Sequence, residues 1–318
     1  MKILIPGGSG QVGTILARAF HAAGHEVVVL SRSPRPAPWR VVAWDPSVLG
    51  AWADEFNGVT AVINLAGRSV NCRYTAANRR DILQSRVTST TAVGAAIARA
   101  TAPPPVWLQA STATIYAHRF DAANDETTGQ IGGAERDVPA SWHFSIEVAQ
   151  AWERACMAAA VPHTRRVLMR SAITMSPDRR GIFDTLLGLV RRGLGGQAAD
   201  GRQFISWIHD QDFIRAVQFL IGNASISGPV NLAAPNPLPN AEFMQALRAA
   251  WGAPVGLPSA RWMLAVGAYV LRTETELVLK SRRVVPGHLT ALSFKFTFPT
   301  WPEAAVDLCR RWRDTRVD

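Results

Sequence analysis

A short apolar run, a set of spaced glycines and a helical repeat open this chain, and they constrain it more than any other stretch. Ile3 to Ile5 has the length of a buried strand, and Gly7-x-x-Gly10-x-x-Gly13 follows it. Val12, Ile15, Leu16, Ala19 and Phe20 then recur at helical spacing. Gly24 stands where a helix C-terminus takes glycine. Glycines in a strand-to-helix turn have separable uses. One makes the tight turn, one lets the backbone approach a pyrophosphate, and one lets the helix pack close to the sheet. The helix N-terminus adds free N–H groups and the positive end of a dipole. A plain glycine turn is the competing reading. The strand before the turn, the helix after it and a second strand beyond supply the context a dinucleotide site requires. The expected contacts here are Gly7, Ser9, Gly10, Gln11, Val12 and Gly13.

The second strand, His25 to Leu30, runs into Ser31-Arg32-Ser33-Pro34. An acid at this point binds a ribose 2′-hydroxyl, whereas an arginine suits a 2′-phosphate. Ser31 and Arg32 therefore favour NADP(H) over NAD(H), against the alternative that Arg32 merely ends a strand. Trp44 and Asp45, at the end of a third strand, suit either an adenine site or, for the indole, core packing. Asn64-Leu65-Ala66-Gly67 leaves a fourth strand, with small residues where the chain must pass close to a cofactor. A long helix over residues 77–99 follows a polar loop carrying Arg68, Arg73 and Tyr74. A fifth strand, Val106 to Ala110, delivers Ser111, Thr112 and Tyr116 to the C-terminal edge of the sheet, where ligands bind in this architecture. Residues 117–140 read as a mobile loop, 141–160 as a helix and Val167 to Arg170 as a sixth strand. Later, Asp210 and Asn240 are expected to cap helices.

Strands alternating with helices predict an α/β fold: a Rossmann-like, doubly wound parallel sheet with a second, smaller α+β lobe on the substrate side. The expected division is 1–235 for the nucleotide-binding part and 236–318 for a small C-terminal domain, with residues 171–205 contributing to the substrate-side lobe. At 318 residues and 48% hydrophobic, the chain can bury a core of that size. No apolar run approaches the ~20 residues of a membrane helix, and Ile3 to Ile5 is too short for a signal-peptide core. The expectation is a cytoplasmic protein without membrane partners. Cys72, Cys156 and Cys309 show no paired spacing, so neither a disulfide framework nor a metal site is expected. The net charge of +10 comes almost wholly from arginine. No arginine stripe interleaves with aromatics, which argues against nucleic acid. A small anionic substrate fits better.

Taken together, Gly7 to Gly13, Leu30-Ser31-Arg32, Asn64 to Gly67, Ser85-Arg86-Val87, Ala110 to Tyr116, Ala151-Trp152-Glu153 and Ser206-Trp207-Ile208-His209 resemble an atypical, extended short-chain dehydrogenase/reductase. The chain is most similar to the "epimerase family" branch, NAD-dependent epimerase/dehydratase-like and related to short-chain family 39U. Val284 to Leu289 with Phe294-Lys295-Phe296 resembles that branch's small C-terminal domain. The resemblance implies NADP(H) as cofactor and places Asp81, Arg86, Asn64 and Leu65 along it. It also implies a strand hydroxyl, matched by Thr112, and a Tyr-x-x-x-Lys pair on the next helix. The two positions of that pair fall at Ser145 and Ala149, which cannot move a proton near neutral pH. Three functions stay open: an oxidoreductase using other groups, a non-catalytic NADP(H) sensor, and a nucleotide-sugar epimerase. Thr112 and Tyr116 are the expected catalytic pair, with Arg73 as a cation beside Tyr116. Glu126, His143, His209 and Asp210 are further candidates, the last two equally readable as a strand-end cap.

Overall fold

The structure, a computed structural model, describes residues 1–135, 138–270 and 274–315. Its strands are β1 (Lys2–Pro6), β2 (Glu26–Ser31), β3 (Arg40–Ala43), β4 (Ala61–Asn64), β5 (Val106–Thr112), β6 (Arg165–Ser171), β7 (Ile173–Met175), β8 (Phe204–Ile205), β9 (Trp207–His209), β10 (Gly228–Leu232) and β11 (Leu238–Pro239). The helices are α1 (Gln11–Ala22), α2 (Ala76–Arg99), α3 (Ala140–Met157), α4 (Ile182–Arg191), α5 (Asp210–Gly222), α6 (Asn240–Trp251), α7 (Arg261–Val270), α8 (Glu276–Leu279), α9 (Gly287–Ala291) and α10 (Trp301–Asp314).

Among the described residues, seven strands form one sheet in the order β10-β6-β5-β4-β1-β2-β3, and each neighbouring pair is parallel. Strand alternation divides its side chains. Ile3, Ile5, Val27 and Val29 pack with Leu16 and Phe20 of α1 and Phe213 and Val217 of α5. Leu4, Val28, Leu30 and Val62 pack on the other face with Val93 and Ile97 of α2. Two buried faces explain the near-continuous apolar strands. This is the expected Rossmann-like fold, with every strand's C-terminal end on one edge.

A third core lies beyond that edge. Met175 and Trp207, from short strands after β6, join Phe183 and Leu187 of α4, Phe243 of α6, and Trp301 and Trp312 of α10. Trp301 stacks on Phe243 at 3.9 Å and donates its indole N–H to the Phe243 carbonyl. Residues on both sides of position 235 thus share one core.

Several local expectations are corrected. β5 runs two residues past Ala110, so Ser111 and Thr112 still pair with Arg170 and Ser171 of β6. Residues 117–135 are pinned: Asn124 N–H donates to the Arg283 carbonyl at 2.7 Å, and the Asn124 carbonyl accepts from Val285 N–H at 3.0 Å. Residues 136 and 137 of that stretch lie outside the described residues. At the start of α5 the cap position falls on His209, and Gln211 N–H is shared: His209 Nδ1 accepts from it at 3.2 Å and Asp210 Oδ1 at 3.0 Å. Asn240 does not cap α6; its side-chain oxygen accepts from Ala198 N–H at 2.7 Å.

The glycine turn has the expected close packing. A Cβ on Gly13 would lie 2.4 Å from Gly8 Cα, with only backbone to give way, whereas one on Gly10 meets nothing closer than 3.8 Å. Gly13→Ala should therefore lower unfolding stability by ~1–3 kcal/mol, the range for overpacking. Gly10→Ala should stay within ~1 kcal/mol, the scale of glycine-to-alanine effects. Urea denaturation of both variants checks the contrast; equal losses would contradict it.

Candidate functional site

The N-terminus of α1 is open. Gly10 precedes it in extended conformation, and no side chain caps the helix. The first N–H groups of α1 have no intrahelical partner, and Ser9, Gly10 and Gln11 are exposed. Gly7 has φ +75°, and a Cβ there would lie 2.6 Å from the Ala66 backbone, so the β1 and β4 turns are locked together. Asn64, fully buried, shapes the second turn: its amide N–H donates to Gln109 at 2.9 Å, and its oxygen accepts from Ala66 N–H at 3.1 Å. Leu65 N–H donates to the Pro6 carbonyl. Asn64 is thus a brace, and Ala66 and Gly67 form the edge it shapes.

Ser31 ends β2 and donates its hydroxyl to Ser9 Oγ at 3.1 Å, joining the two loops. Arg32 is exposed and makes no hydrogen bond or ion pair among the described residues. Its charge reaches Asp45, whose carboxyl is held below its ordinary value mainly by Ser47. Trp44 is core, edge-on to Trp52 at 5.2 Å. Asp81 is exposed and pairs with Arg68, whose own N–H donates to Ser85. Arg86 lies over Gly67, donates to the carbonyls of Arg68 and Ile82 at 3.0 Å, and sits 4.9 Å above the Trp152 ring. Burial pushes the Arg86 guanidinium down to about 10.

A cavity of about 120 Å³ opens beside Arg86. Thr112 from β5, and Ser145 and Ala149 from α3, line it. The positions that the resemblance assigns to the Tyr-x-x-x-Lys pair therefore line this cavity beside the strand hydroxyl. Phe144 and Trp152 make apolar wall. Tyr74, Glu276 and Arg282 also line it, and reading the sequence did not single them out. Glu276 is 1% exposed and accepts a hydrogen bond from Ser145 at 2.6 Å. Arg282 donates to Thr114 Oγ1 at 3.1 Å and to the Glu276 carbonyl at 3.2 Å. Lys280, 1% exposed, donates to the Thr114 carbonyl at 2.8 Å. The only sequence signal was a Glu276-x-x-x-Lys280 pair at one-turn spacing with Arg282 two residues on, and such pairs are shared by exposed helices.

Tyr116 is corrected. It does not line this cavity; it is 2% exposed, and its hydroxyl donates to Asn231 Oδ1 at 2.9 Å while accepting from Arg170 at 3.0 Å. Burial raises its pKa, against the pull of Arg170. Its cation is Arg170, whereas Arg73 lies over the Tyr269 ring at 5.3 Å. Arg170 forms a bidentate pair with Glu153 at 2.9 Å on both arms, and Ser111 donates to the same carboxylate at 2.6 Å. Ser111 is thereby occupied inside the fold. Glu126 belongs to the same locked region, accepting from the N–H groups of Asn231 and His288. His209 is fully buried, bonded to Asp307 and stacked on Phe298 at 3.9 Å, while Asp210 grips Arg311. His143 does not line the cavity either.

The profile of the NAD dependent epimerase/dehydratase family matches residues 3–233, and that of a domain of unknown function (DUF1731) matches residues 261–308. The epimerase family protein SDR39U1 of Bos taurus is 32% identical over 307 residues, covering 94% of this chain and 96% of the relative. The crystal structure of human epimerase family protein SDR39U1 (isoform 2) with NADPH superposes with a TM-score of 0.84 at 28% identity, covering 98% of this chain and 99% of that one. MoeE5, solved in complex with UDP-glucose and NAD, reaches a TM-score of 0.75 at 16% identity over the full length of both chains, which shows a shared fold. The chain belongs to the NAD dependent epimerase/dehydratase family, within the short-chain dehydrogenase/reductase superfamily. No helix among the described residues is long and apolar enough to cross a membrane.

Two outcomes follow from the buried charges. Glu153→Ala strands the Arg170 guanidinium and should cost ~3–5 kcal/mol, the range for breaking a buried pair; the denaturant midpoint measures it. Burial pushes the Lys280 ammonium down to about 8, with Arg282 adding to the shift. Between that value and the ordinary 10.5, the unfolded chain holds the proton more tightly, so this group makes stability rise with pH across the window. Lys280→Met should remove that rise, as read from urea midpoints at the two ends of the window.

Proposed function

We propose that this chain is an NADP(H)-dependent oxidoreductase acting on a small carbonyl or hydroxyl compound with an anionic group, and that it works without a Tyr-x-x-x-Lys pair. The observation that carries this reading is a shared edge. The uncapped turn at Gly10 and the cavity bearing Thr112 both lie at the C-terminal ends of parallel strands. The NADPH in the human relative's structure supports the cofactor choice.

The chain's residues suit that cofactor. Backbone N–H groups of Ser9 and of Gln11 to Gly13 would hold the pyrophosphate, with Gly10 leaving room for it and Gly7 letting the turn pack on Ala66. Ser31 and the unpaired Arg32 would hold the 2′-phosphate, Arg32 through a bidentate, charge-assisted contact. Leu65, Ala66 and Gly67 would run along the cofactor, with Asn64 keeping their turn in shape. Asp81 would act by fixing Arg68, and Arg86 by closing over Gly67. When bound, NADPH supplies a hydride for a carbonyl carbon. Thr112 would orient that carbonyl, and Arg86 and Arg282 make the cavity favourable for an anionic group. Ser145 and Ala149 support a second reading, an NADP(H)-binding sensor or interaction protein without turnover, because neither titrates near neutral pH.

Calorimetric titration should find NADPH bound more tightly than NADH by ~1.5–3 kcal/mol, the range for hydrogen bonds to a charged group. Arg32→Ala should erase most of that gap; equal affinities in the wild type would remove the cofactor assignment. A screen of carbonyl classes by NADPH absorbance then separates the readings, since a sensor consumes no NADPH on any of them.

A further inference from the structure

The missing tyrosine leaves a chemical vacancy that the cavity itself addresses. Ser145 stands at the tyrosine's position, and its hydroxyl points to a carboxyl group from a distant part of the chain. That group is Glu276, the first residue of α8. One carboxyl oxygen, Oε2, accepts from Ser145 at 2.6 Å. The other, Oε1, is buried and has no hydrogen-bond partner among the described residues. Lys280 Nζ forms an ion pair with it at 3.8 Å, which is beyond hydrogen-bond reach and leaves Oε1 without a donor.

An ionised carboxylate with an unsatisfied oxygen is costly to bury. A protonated carboxyl removes most of that cost. Its O–H then occupies Oε1, and Oε2 continues to accept from Ser145. The same group lines the space shared with Thr112. We infer that Glu276 is the general acid of this site, giving its proton to the substrate oxygen in place of the absent tyrosine. This assignment rests on the oxidoreductase reading above. In the reduction, hydride from NADPH forms a C–H bond at the carbonyl carbon as the C=O π-bond breaks. The oxygen takes the Glu276 proton, leaving NADP⁺, an alcohol and a carboxylate. That carboxylate is stabilised by Arg282, Lys280 and the Ser145 hydroxyl and regains its proton from solvent.

The surroundings fit an acid. Burial holds the Glu276 carboxyl above its ordinary value, while Arg282, Ser145 and Lys280 pull it down and Glu274 pushes it up. Tyr74 faces it from the loop after β4, and Arg86 lines the same cavity from α2. The Tyr74 phenol is itself raised by burial, which makes it a weaker donor near neutral pH than a carboxyl.

The test compares wild type, Glu276→Gln, Glu276→Asp and Tyr74→Phe. Glutamine preserves shape and can still accept from Ser145. Glu276→Gln should lower kcat at least ~10²-fold, the lower end for lost proton transfer. NADPH affinity should stay within a factor of about three, under ~0.7 kcal/mol. The wild-type rate should fall as pH rises through the Glu276 titration, and that limb should vanish in the glutamine variant. Glu276→Asp should retain part of the rate with a displaced limb. At neutral pH, the infrared difference spectrum of wild type minus Glu276→Gln should contain a protonated-carboxyl band. Turnover that survives Glu276→Gln, absence of that band, or loss of rate in Tyr74→Phe alone would overturn the assignment while leaving the oxidoreductase reading standing. No wild-type turnover on any carbonyl class would overturn both.

Discussion

The buried pair between Arg170 and Glu153 is the contact on which the C-terminal edge of the sheet depends. Desolvating two charges is expensive, and the pair is tolerated because both partners are almost completely satisfied. Glu153 takes both arms of the guanidinium and the Ser111 hydroxyl; Arg170 uses a further N–H on Tyr116. Tyr116 passes the connection to Asn231 on β10, whose amide reaches the Val285 carbonyl and whose backbone N–H reaches Glu126. One polar chain thereby ties α3, three neighbouring strands, the loop after Tyr116 and the C-terminal segment. Residues that look reactive in one dimension are consumed in three as structure. A low local dielectric strengthens each of these bonds and makes each loss costly.

That network also explains how a late segment of the chain comes to build the cavity beside Thr112. Residues 280–285 run along the loop that begins at Thr114. Lys280 and Arg282 bond to Thr114, Ser281 to His118 and Arg119, and Val285 to Asn124. Glu276 is carried into the wall by the same attachment. The cavity is therefore jointly made: the parallel sheet supplies Thr112, α3 supplies Ser145 and Ala149, and the C-terminal region supplies the charged groups. Its electrostatics are uneven. Arg86 and Arg282 line it together with a single carboxyl, and their buried guanidiniums donate to backbone carbonyls.

The nucleotide edge is organised differently, by backbone. Gly7 against Ala66 and Gly13 against Gly8 bring two turns and a helix closer than any side chain would allow. The open N–H groups of α1 then need no reactive residue to receive an anion. This edge thus rests on backbone packing, whereas the cavity is built from side chains of β5, α3 and the C-terminal region.

The sequence by itself determined the parallel sheet, the glycine turn, the family and the position of Thr112. Each is a local pattern: glycine spacing, apolar runs alternating with helical repeats, or a motif of adjacent residues. The smaller region was legible from composition shifts and tail motifs, but not its shared core across residue 235, because Trp207, Phe243 and Trp301 meet only through packing. Tyr116 and Glu276 mark the limit most clearly. Tyr116 carries an acidic group next to the strand hydroxyl in sequence, yet its side chain turns inward to Asn231 and Arg170. Glu276 lies 131 positions from Ser145 and meets it at 2.6 Å. Which phenol or carboxyl faces a ligand depends on side-chain direction and long-range contact. Those are settled by how buried charges find partners across the fold, and only the tertiary structure decides that.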